Sequence, residues 1–309
     1  MCGICGELRF DDTAVDRRDI ERMNERLARR GPDYGAVHLD GQIGLGHRRL
    51  SIIDLSPRSN QPMVDPESGL AICFNGAIYN YRELRRELQL LGYRFVSDGD
   101  TEVILKAFDA WGVDCPARLQ GMFAFAIWDS ARGRLFMARD RFGIKPLYYT
   151  TDVRRLRFAS NPQALLAGGR VDCRIDPVAL HFLFTLHAVV PAPRTVLEGV
   201  RKLEPAHSME IGADGTQSLR RYWALEATRP VNPPGDAGWI EAIHDSLRSA
   251  VRKRYDVADV PVGVLLSGGL DSSLLVALLA EAGAADIRTF SVGFEDQPEE
   301  KGSEFEYSD

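Results

Sequence analysis

The sequence predicts two units of different class: an α+β unit over residues 2–228, then the opening of an α/β parallel-sheet unit over 239–309. Three observations carry this. Up to about residue 223 short apolar strands alternate with turn residues and a few amphipathic helices. Residues 229–238 hold three prolines and two glycines, the composition of a linker. After them the pattern changes to strand, helix, strand, a βαβ unit that implies parallel pairing.

Element by element, residues 2–10 read as a strand once their glycines are passed. Residues 17–30 place Ile20, Met23 and Leu27 at helical spacing. Residues 71–75 form a short apolar strand ending in Asn-Gly. Residues 81–91 and 101–111 are amphipathic helices stopped by Gly92 and Gly112. Residues 123–129 and 134–140 are strands joined by Ser-Ala-Arg-Gly, a hairpin pattern. Pro191, Pro193 and Pro205 mark the end of the first unit. In the second, 239–255 is a helix, 260–266 a buried-type strand, 273–282 a helix ended by Gly283, and 287–294 a second strand.

Charge and composition exclude several classes. A net charge of −6 with both signs mixed along the chain leaves no basic face for nucleic acid and no polybasic membrane anchor. No apolar run approaches a bilayer span. The start, MCGICGELRFDD, lacks the features of a secretory signal, so a cytoplasmic protein is expected. Five scattered cysteines, an odd number, argue against a disulfide framework.

Cys2 follows the initiator methionine. Removal of Met1 would leave a free α-amine, of pKa near ~8, within a few bonds of the thiol. One residue would then supply nucleophile and base. The plainer alternative is an inert cysteine; another is Cys2-Gly-Ile-Cys5 as a redox or metal motif. Redox CxxC motifs follow a strand inside a βαβ unit, and no second CxxC or HxxxH pair completes a zinc site.

The catalytic reading gains from the motifs that follow in order: Arg30-Gly-Pro-Asp33, Arg49-Leu-Ser-Ile-Ile-Asp54, Asn75-Gly-Ala-Ile-Tyr-Asn80, Gly99-Asp-Thr-Glu102 and Arg139-Asp-Arg-Phe-Gly-Ile-Lys-Pro-Leu-Tyr148. With MCGICG they resemble the class II, N-terminal-nucleophile glutamine amidotransferases, especially the asparagine synthetase family. The resemblance covers essentially the whole chain. It implies an αββα sandwich for the first unit and these roles: Cys2 attacks the carboxamide of glutamine, and Asn75 with the Gly76 N–H stabilises the oxyanion. Arg49, followed by Leu50, Ser51, Ile52 and Ile53, holds the α-carboxylate, and Asp100 the α-ammonium. The family usually has Glu where this chain has Ala77, which removes a carboxylate from the glutamine pocket. Taken singly, Asn-Gly is more often a turn, and Arg49 or Asp100 a solvated charge.

Residues 262–273, Val-Gly-Val-Leu-Leu-Ser-Gly-Gly-Leu-Asp-Ser-Ser, run from an apolar strand through Ser267, Gly268, Gly269, Leu270, Asp271 and Ser272 into a helix. Such glycines let backbone N–H groups turn inward as an anion nest, and a helix N-terminus adds positive partial charge. Asp271 is an oxygen ligand of the kind Mg²⁺ takes. The spacing is not that of a Walker A loop; a plain alternative is a Gly-Ser turn with a capping serine. The segment resembles the PP-loop of ATP pyrophosphatases, which implies ATP with Mg²⁺, a carboxylate activated as an acyl-adenylate, and Leu265 and Val292 near the adenosine.

Together the two resemblances imply that ammonia released from glutamine travels through an internal passage to the activated carboxylate and forms an amide. The substrates are then glutamine, ATP and a carboxylate acceptor, with a homodimer left open. Residues 2–10, 186–194 and 304–309 resemble the N-acetylglutaminylglutamine amidotransferase branch; aspartate is the family's usual acceptor. An inactive glutamine-sensing protein is the rival from another class. Family members continue well past residue 309, so 239–309 is expected to be only the start of the synthetase domain.

Overall fold

The structure, a computed structural model, describes residues 1–284 and 286–293. It divides into two compact units, one over Met1–Leu225 and one from Glu226 onward.

The first unit holds β1 (Gly3–Arg9), α1 (Arg17–Glu25), β2 (Tyr34–Asp40), β3 (Ile43–Arg49), β4 (Met63–Val64), β5 (Leu70–Ile78), α2 (Tyr81–Leu90), α3 (Asp100–Trp111), α4 (Cys115–Arg118), β6 (Gly121–Asp129) and β7 (Arg134–Arg139). It continues with β8 (Tyr148–Thr151), β9 (Arg155–Ala159), α5 (Pro162–Ala167), α6 (Pro177–Thr185), β10 (Arg201–Lys202), β11 (His207–Gly212) and β12 (Gln217–Arg221). The strands form two antiparallel six-stranded sheets, ordered β10-β8-β9-β1-β3-β2 and β12-β11-β7-β6-β5-β4.

Strand alternation builds the layers. Successive side chains point to opposite faces, so Ile4 and Leu8 of β1 enter the space between the sheets while Cys5 faces the helices. The inter-sheet core joins Ile43 and Leu45 of β3 to Ala71 and Cys73 of β5, Ala124 and Ala126 of β6 and Met137 of β7. A second core joins Cys5 to Ile20, Met23 and Leu27 from α1 and its following turn, and to Ala164 and Leu165 of α5. α3 packs on β5, with α2 beside it. Helix, sheet, sheet, helix is the αββα sandwich expected.

Several bounds move. The first helix stops at Glu25 and unwinds into turns, with Leu27 still buried in the helix-facing core. Asn75-Gly76 is not a turn: β5 runs through it to Ile78. The reason lies across the sheet, where β6 pairs with it residue for residue, Asn75 opposite Ala124 and Gly76 opposite Phe123. A full antiparallel ladder outweighs the local turn preference.

In the second unit α7 (Asp236–Tyr255) starts inside the expected linker. β13 (Gly263–Leu265) and β14 (Arg288–Phe290) pair in parallel on either side of α8 (Leu270–Glu281). Val251, Val264, Leu278 and Leu279 form its core. The βαβ reading holds, with shorter strands. Residues 294–309 lie outside the described residues, including the end of the second expected strand and the 304–309 stretch.

On the helix-facing side of the first sheet, Glu7 and Arg157 are almost fully buried and ion-paired, and Arg157 reaches Asp19 of α1 at 2.8 Å. Removing one partner leaves the other charge buried and under-compensated, a loss of about 3–5 kcal/mol. Glu7→Ala is expected to lower the unfolding free energy by that order in urea titration. A loss below about 1 kcal/mol, the level of an exposed pair, would show that the pair does not tie helix layer to sheet.

Candidate active site

The parity that fills the inter-sheet core also lines its open end. On β3 the inward residues run Ile43, Leu45, His47, Arg49; on β5, Ala71, Cys73, Asn75, Ala77; on β6, Trp128, Ala126, Ala124, Met122. On β1, Leu8 and Ile4 lead back to Cys2. Toward this end of the sandwich the inward positions change from aliphatic to polar. Cys2, Arg49, Asn75, Gly76, Ala77 and Asp100 border one cleft of about 230 Å³.

Gly76 owes its place to ladder geometry. In an antiparallel strand the N–H and C=O of alternate residues point to opposite edges. Tyr79 N–H goes to Gln120 C=O on the β6 side, which turns Phe74, Gly76 and Ile78 to the outer edge of β5. That edge is sealed by side chains. Phe74 N–H donates to Gln61 Oε1 (2.6 Å), Phe74 C=O meets His47 Nε2 (3.0 Å), and Ile78 N–H donates to Asp100 Oδ2 (3.0 Å). The Gly76 N–H sits between these sealed positions, facing the cleft. A Cβ at Gly76 would lie 2.2 Å from Met122 O and 2.9 Å from Phe123 Cα, so the close approach that demands glycine is to β6.

Beside it, the Asn75 carboxamide is buried, and among the described residues neither its oxygen nor its nitrogen has a hydrogen-bond partner. A buried amide without a partner costs free energy. Lining the cleft, this one is a donor available to a bound molecule.

Cys2 Sγ lies 3.3 Å from the Leu50 N–H and 3.5 Å from the Leu50 carbonyl. Burial pushes its thiol up, opposed by the Leu50 N–H, the N-terminal charge and Arg49. Met1 precedes it and borders the cleft; burial lowers the Met1 amine.

Arg49 is buried and gathers the following loop. It donates to Ser56 C=O (2.9 Å), Asn60 Oδ1 (2.7 Å) and the carbonyls of Ile53 and Asp54. Its terminal amines are therefore engaged, and what it offers the cleft is chiefly positive charge. Asp100 is the first residue of α3. Burial pushes its carboxyl up to about 6, although backbone N–H groups and Arg49 pull the other way. With alanine at 77, Asp100 is the one carboxylate among the cleft-lining residues.

Of the residues expected here, Ser51 falls outside the lining: its N–H donates to Asp33 Oδ2 at 2.7 Å. Leu50, Ile52 and Ile53 do line the cleft. Sequence reasoning did not single out Gln61, Thr101, Met122 or Lys145. For Lys145 the signal lies in the 139–148 motif. Asp140, fully buried, accepts from the N–H groups of Phe123, Phe142, Ile144 and Lys145 at 2.9–3.1 Å. Arg139 takes the carbonyls of Gly143, Lys145 and Leu203. This double clamp sets the loop that brings Lys145 to the cleft.

In the second unit Gly268 has φ +75°, a conformation that favours glycine. The Ser267 N–H donates to Ser272 Oγ (3.2 Å), which in turn donates to Gly269 C=O (3.1 Å). Among the described residues no side chain caps the start of α8, which leaves N–H groups of its first turn open to a bound molecule. Leu265, Leu270 and Val292 are exposed around the loop. Among the described residues no three His, Cys, Asp or Glu cluster as a metal cage. A single carboxylate, Asp271 in the first helical turn, instead suits Mg²⁺ that arrives with phosphates. Among the described residues no helix is long and apolar enough to cross a membrane.

A two-sheet sandwich that presents Cys2 beside an unpartnered amide and a strand-edge N–H defines the class of the N-terminal-nucleophile glutamine amidotransferases. Residues 1–223 match the glutamine amidotransferase domain family, and residues 242–309 match asparagine synthase. The chain belongs to the asparagine synthetase family. It is 35% identical over 303 residues to glutamine-hydrolyzing asparagine synthetase 3 of Bacillus subtilis, covering 96% of this chain and 48% of that one. It is 40% identical over 300 residues to asparagine synthetase 1 of the same organism, covering 96% and 46%. The chain thus spans about half the length of these curated relatives. The glutamine phosphoribosylpyrophosphate amidotransferase of B. subtilis superimposes with a TM-score of 0.51 at 17% identity, over 96% of this chain and 69% of that one, a likeness of fold.

Gly76→Ala is expected to force β5 and β6 apart and cost about 1–3 kcal/mol, the overpacking range. Thermal unfolding of the variant checks this. Unchanged stability would mean that the strand yields without strain.

Proposed function

We propose that the first unit hydrolyses glutamine and that the second begins a site where ATP activates a carboxylate for amidation by the released ammonia. The observation that carries the first half is convergence: thiol, unpartnered amide, strand-edge N–H, guanidinium and carboxylate meet in one cleft. After Met1 is removed, the α-amine of Cys2 takes the thiol proton, directly or through a water, and the thiolate attacks the carboxamide carbon. The tetrahedral oxyanion is held by Asn75 Nδ2 and the Gly76 N–H. The protonated α-amine returns its proton to the leaving nitrogen as the oxyanion collapses, which expels ammonia and leaves the thioester; water then adds to the thioester and releases glutamate and the Cys2 thiol. Arg49 supplies the charge opposite the α-carboxylate, and Asp100 that opposite the α-ammonium.

In the second half, Ser267, Gly268, Gly269 and Ser272 would cradle the phosphates, and Asp271 would hold the Mg²⁺ that accompanies them. That ion would offset the charge developing on pyrophosphate as it leaves. Leu265, Leu270 and Val292 offer apolar surface to the adenosine. For the acceptor, the proposal is N-acetylglutaminylglutamine, supported by residues 186–194 and by the non-acidic residue at 77. The names of the relatives favour aspartate as the second reading.

Three outcomes check the glutaminase half. Cys2→Ala should abolish ammonia release, and an electrophilic glutamine analogue should label Cys2 and no other side chain. Asn75→Ala should lower kcat by about 10²–10³, the usual effect of losing one oxyanion donor; a loss below tenfold would remove it from that role. The third concerns pH. A carboxyl with a raised pKa of about 6 is charged above that value and neutral below it, so the partner of the α-ammonium disappears as pH falls through 6. Glutamine affinity, measured calorimetrically on Cys2→Ala, should therefore weaken below pH 6. Asp100→Asn should bind weakly with a flat profile; a pH-dependent Asn variant would assign the titration elsewhere. For the acceptor, ATP–pyrophosphate exchange on the whole synthetase with aspartate, and none with the dipeptide, would overturn the choice.

A further inference from the structure

Lys145 is 4% exposed, yet among the described residues no oxygen accepts a hydrogen bond from it and no carboxylate lies within ion-pair distance. Its Nζ rests 3.2 Å from the Met1 thioether sulfur, a weak acceptor. Asp140, the carboxylate whose charge it feels, already receives four backbone N–H groups. A buried ammonium left so poorly compensated is costly unless an anion joins it. The fold nonetheless commits the Arg139–Asp140 clamp to presenting it at the cleft.

The other charged groups around the N-terminal segment are engaged, save that Arg30 Nη2 is buried with no hydrogen-bond partner among the described residues. Arg30 donates to the Cys2 carbonyl at 3.0 Å, and Asp33 accepts from Ser51 N–H. Arg49 is bonded to its loop, and Asp100 to Ile78 N–H. Tyr148, at the start of β8, is close enough to Arg30 to act on its charge. Met1 and Lys145 both line the cleft, and removal of Met1 deprives the ammonium of its sulfur contact.

We propose that Lys145 is a positioning residue for the thiol chemistry: its ammonium is the counter-charge of the Cys2 thiolate in the processed chain. The proton leaves Sγ for the α-amine, and the negative charge left on sulfur then faces Lys145. The same charge disfavours protonation of the α-amine beforehand, keeping it a base. The inference rests on the glutaminase reading given above and adds a residue to it.

The test is the pH dependence of Cys2 alkylation by iodoacetamide in the processed full chain, followed by mass spectrometry of the N-terminal peptide. Cys173, an exposed thiol, serves as internal control. Lys145→Met should raise the Cys2 midpoint by roughly one pH unit, so that alkylation at pH 7 slows about tenfold. Lys145→Arg should restore most of it, and the Cys173 profile should not move. If Lys145→Met does not fold, Lys145→Gln gives the same comparison. An unchanged Cys2 midpoint in a folded, charge-free variant would overturn the proposal, and so would a purified chain that keeps Met1. Glutamine hydrolysis by the wild type separates the two readings. Hydrolysis with an unshifted midpoint retires Lys145 alone, whereas a shifted midpoint without hydrolysis retires the glutaminase reading and keeps Lys145 as the thiolate's partner.

Discussion

Everything at the cleft depends on one interruption in the outer edge of β5. A strand edge offers a row of N–H and C=O groups that must be met by something. Here Gln61, His47 and Asp100 meet the groups on either side of Gly76, each from a different part of the chain. The gap between them is one residue long, and the thiol of Cys2 and the amide of Asn75 border the same cleft. The reactive geometry is thus a by-product of sealing a sheet edge almost completely.

Two other devices hold that gap in register with Cys2. His47 spans from one sheet to the Phe74 carbonyl of the other, so the peptide before Asn75 cannot slide relative to β3. Burial lowers the imidazole pKa to about 3, and its carbonyl partner places the proton on Nε2. The Arg139–Asp140 clamp does the same for the wall opposite. Asp140 ties Phe123, the residue paired with Gly76, to the loop that carries Lys145. Strand pairing, edge capping and loop clamping therefore act on the same few residues.

Many strands and helices of the first unit were readable because strand alternation and helix periodicity are local, and the βαβ unit was readable for the same reason. The stacking of the first unit as αββα followed from the family resemblance. What was not readable is long-range. Asn75-Gly76 looks like a turn until β6 is laid beside it. Asp100 and Arg49 look like surface charges until the fold buries them. Gln61 lies in none of the motifs singled out, and within the 99–102 and 139–148 motifs nothing marks Thr101 or Lys145 as the residue that lines the cleft; each reaches it from a loop or helix start whose path is set by partners far along the chain. Ser51 shows the reverse: it sits within the run that lines the cleft, yet Asp33 takes its N–H and it stays off the wall.

The sealed edge of β5 also decides what kind of molecule can lie there. An extended polypeptide recognises an open strand by pairing with it over several residues in succession. Along this edge it would meet the side chains of Gln61, His47 and Asp100 where it needs main-chain partners, and only Gly76 would answer. An N-terminal thiol beside an oxyanion cradle is chemistry able to cut peptide bonds. On the glutaminase reading proposed above, the missing groove, more than the thiol itself, is what would turn polypeptides away and leave the site to a single free amino acid.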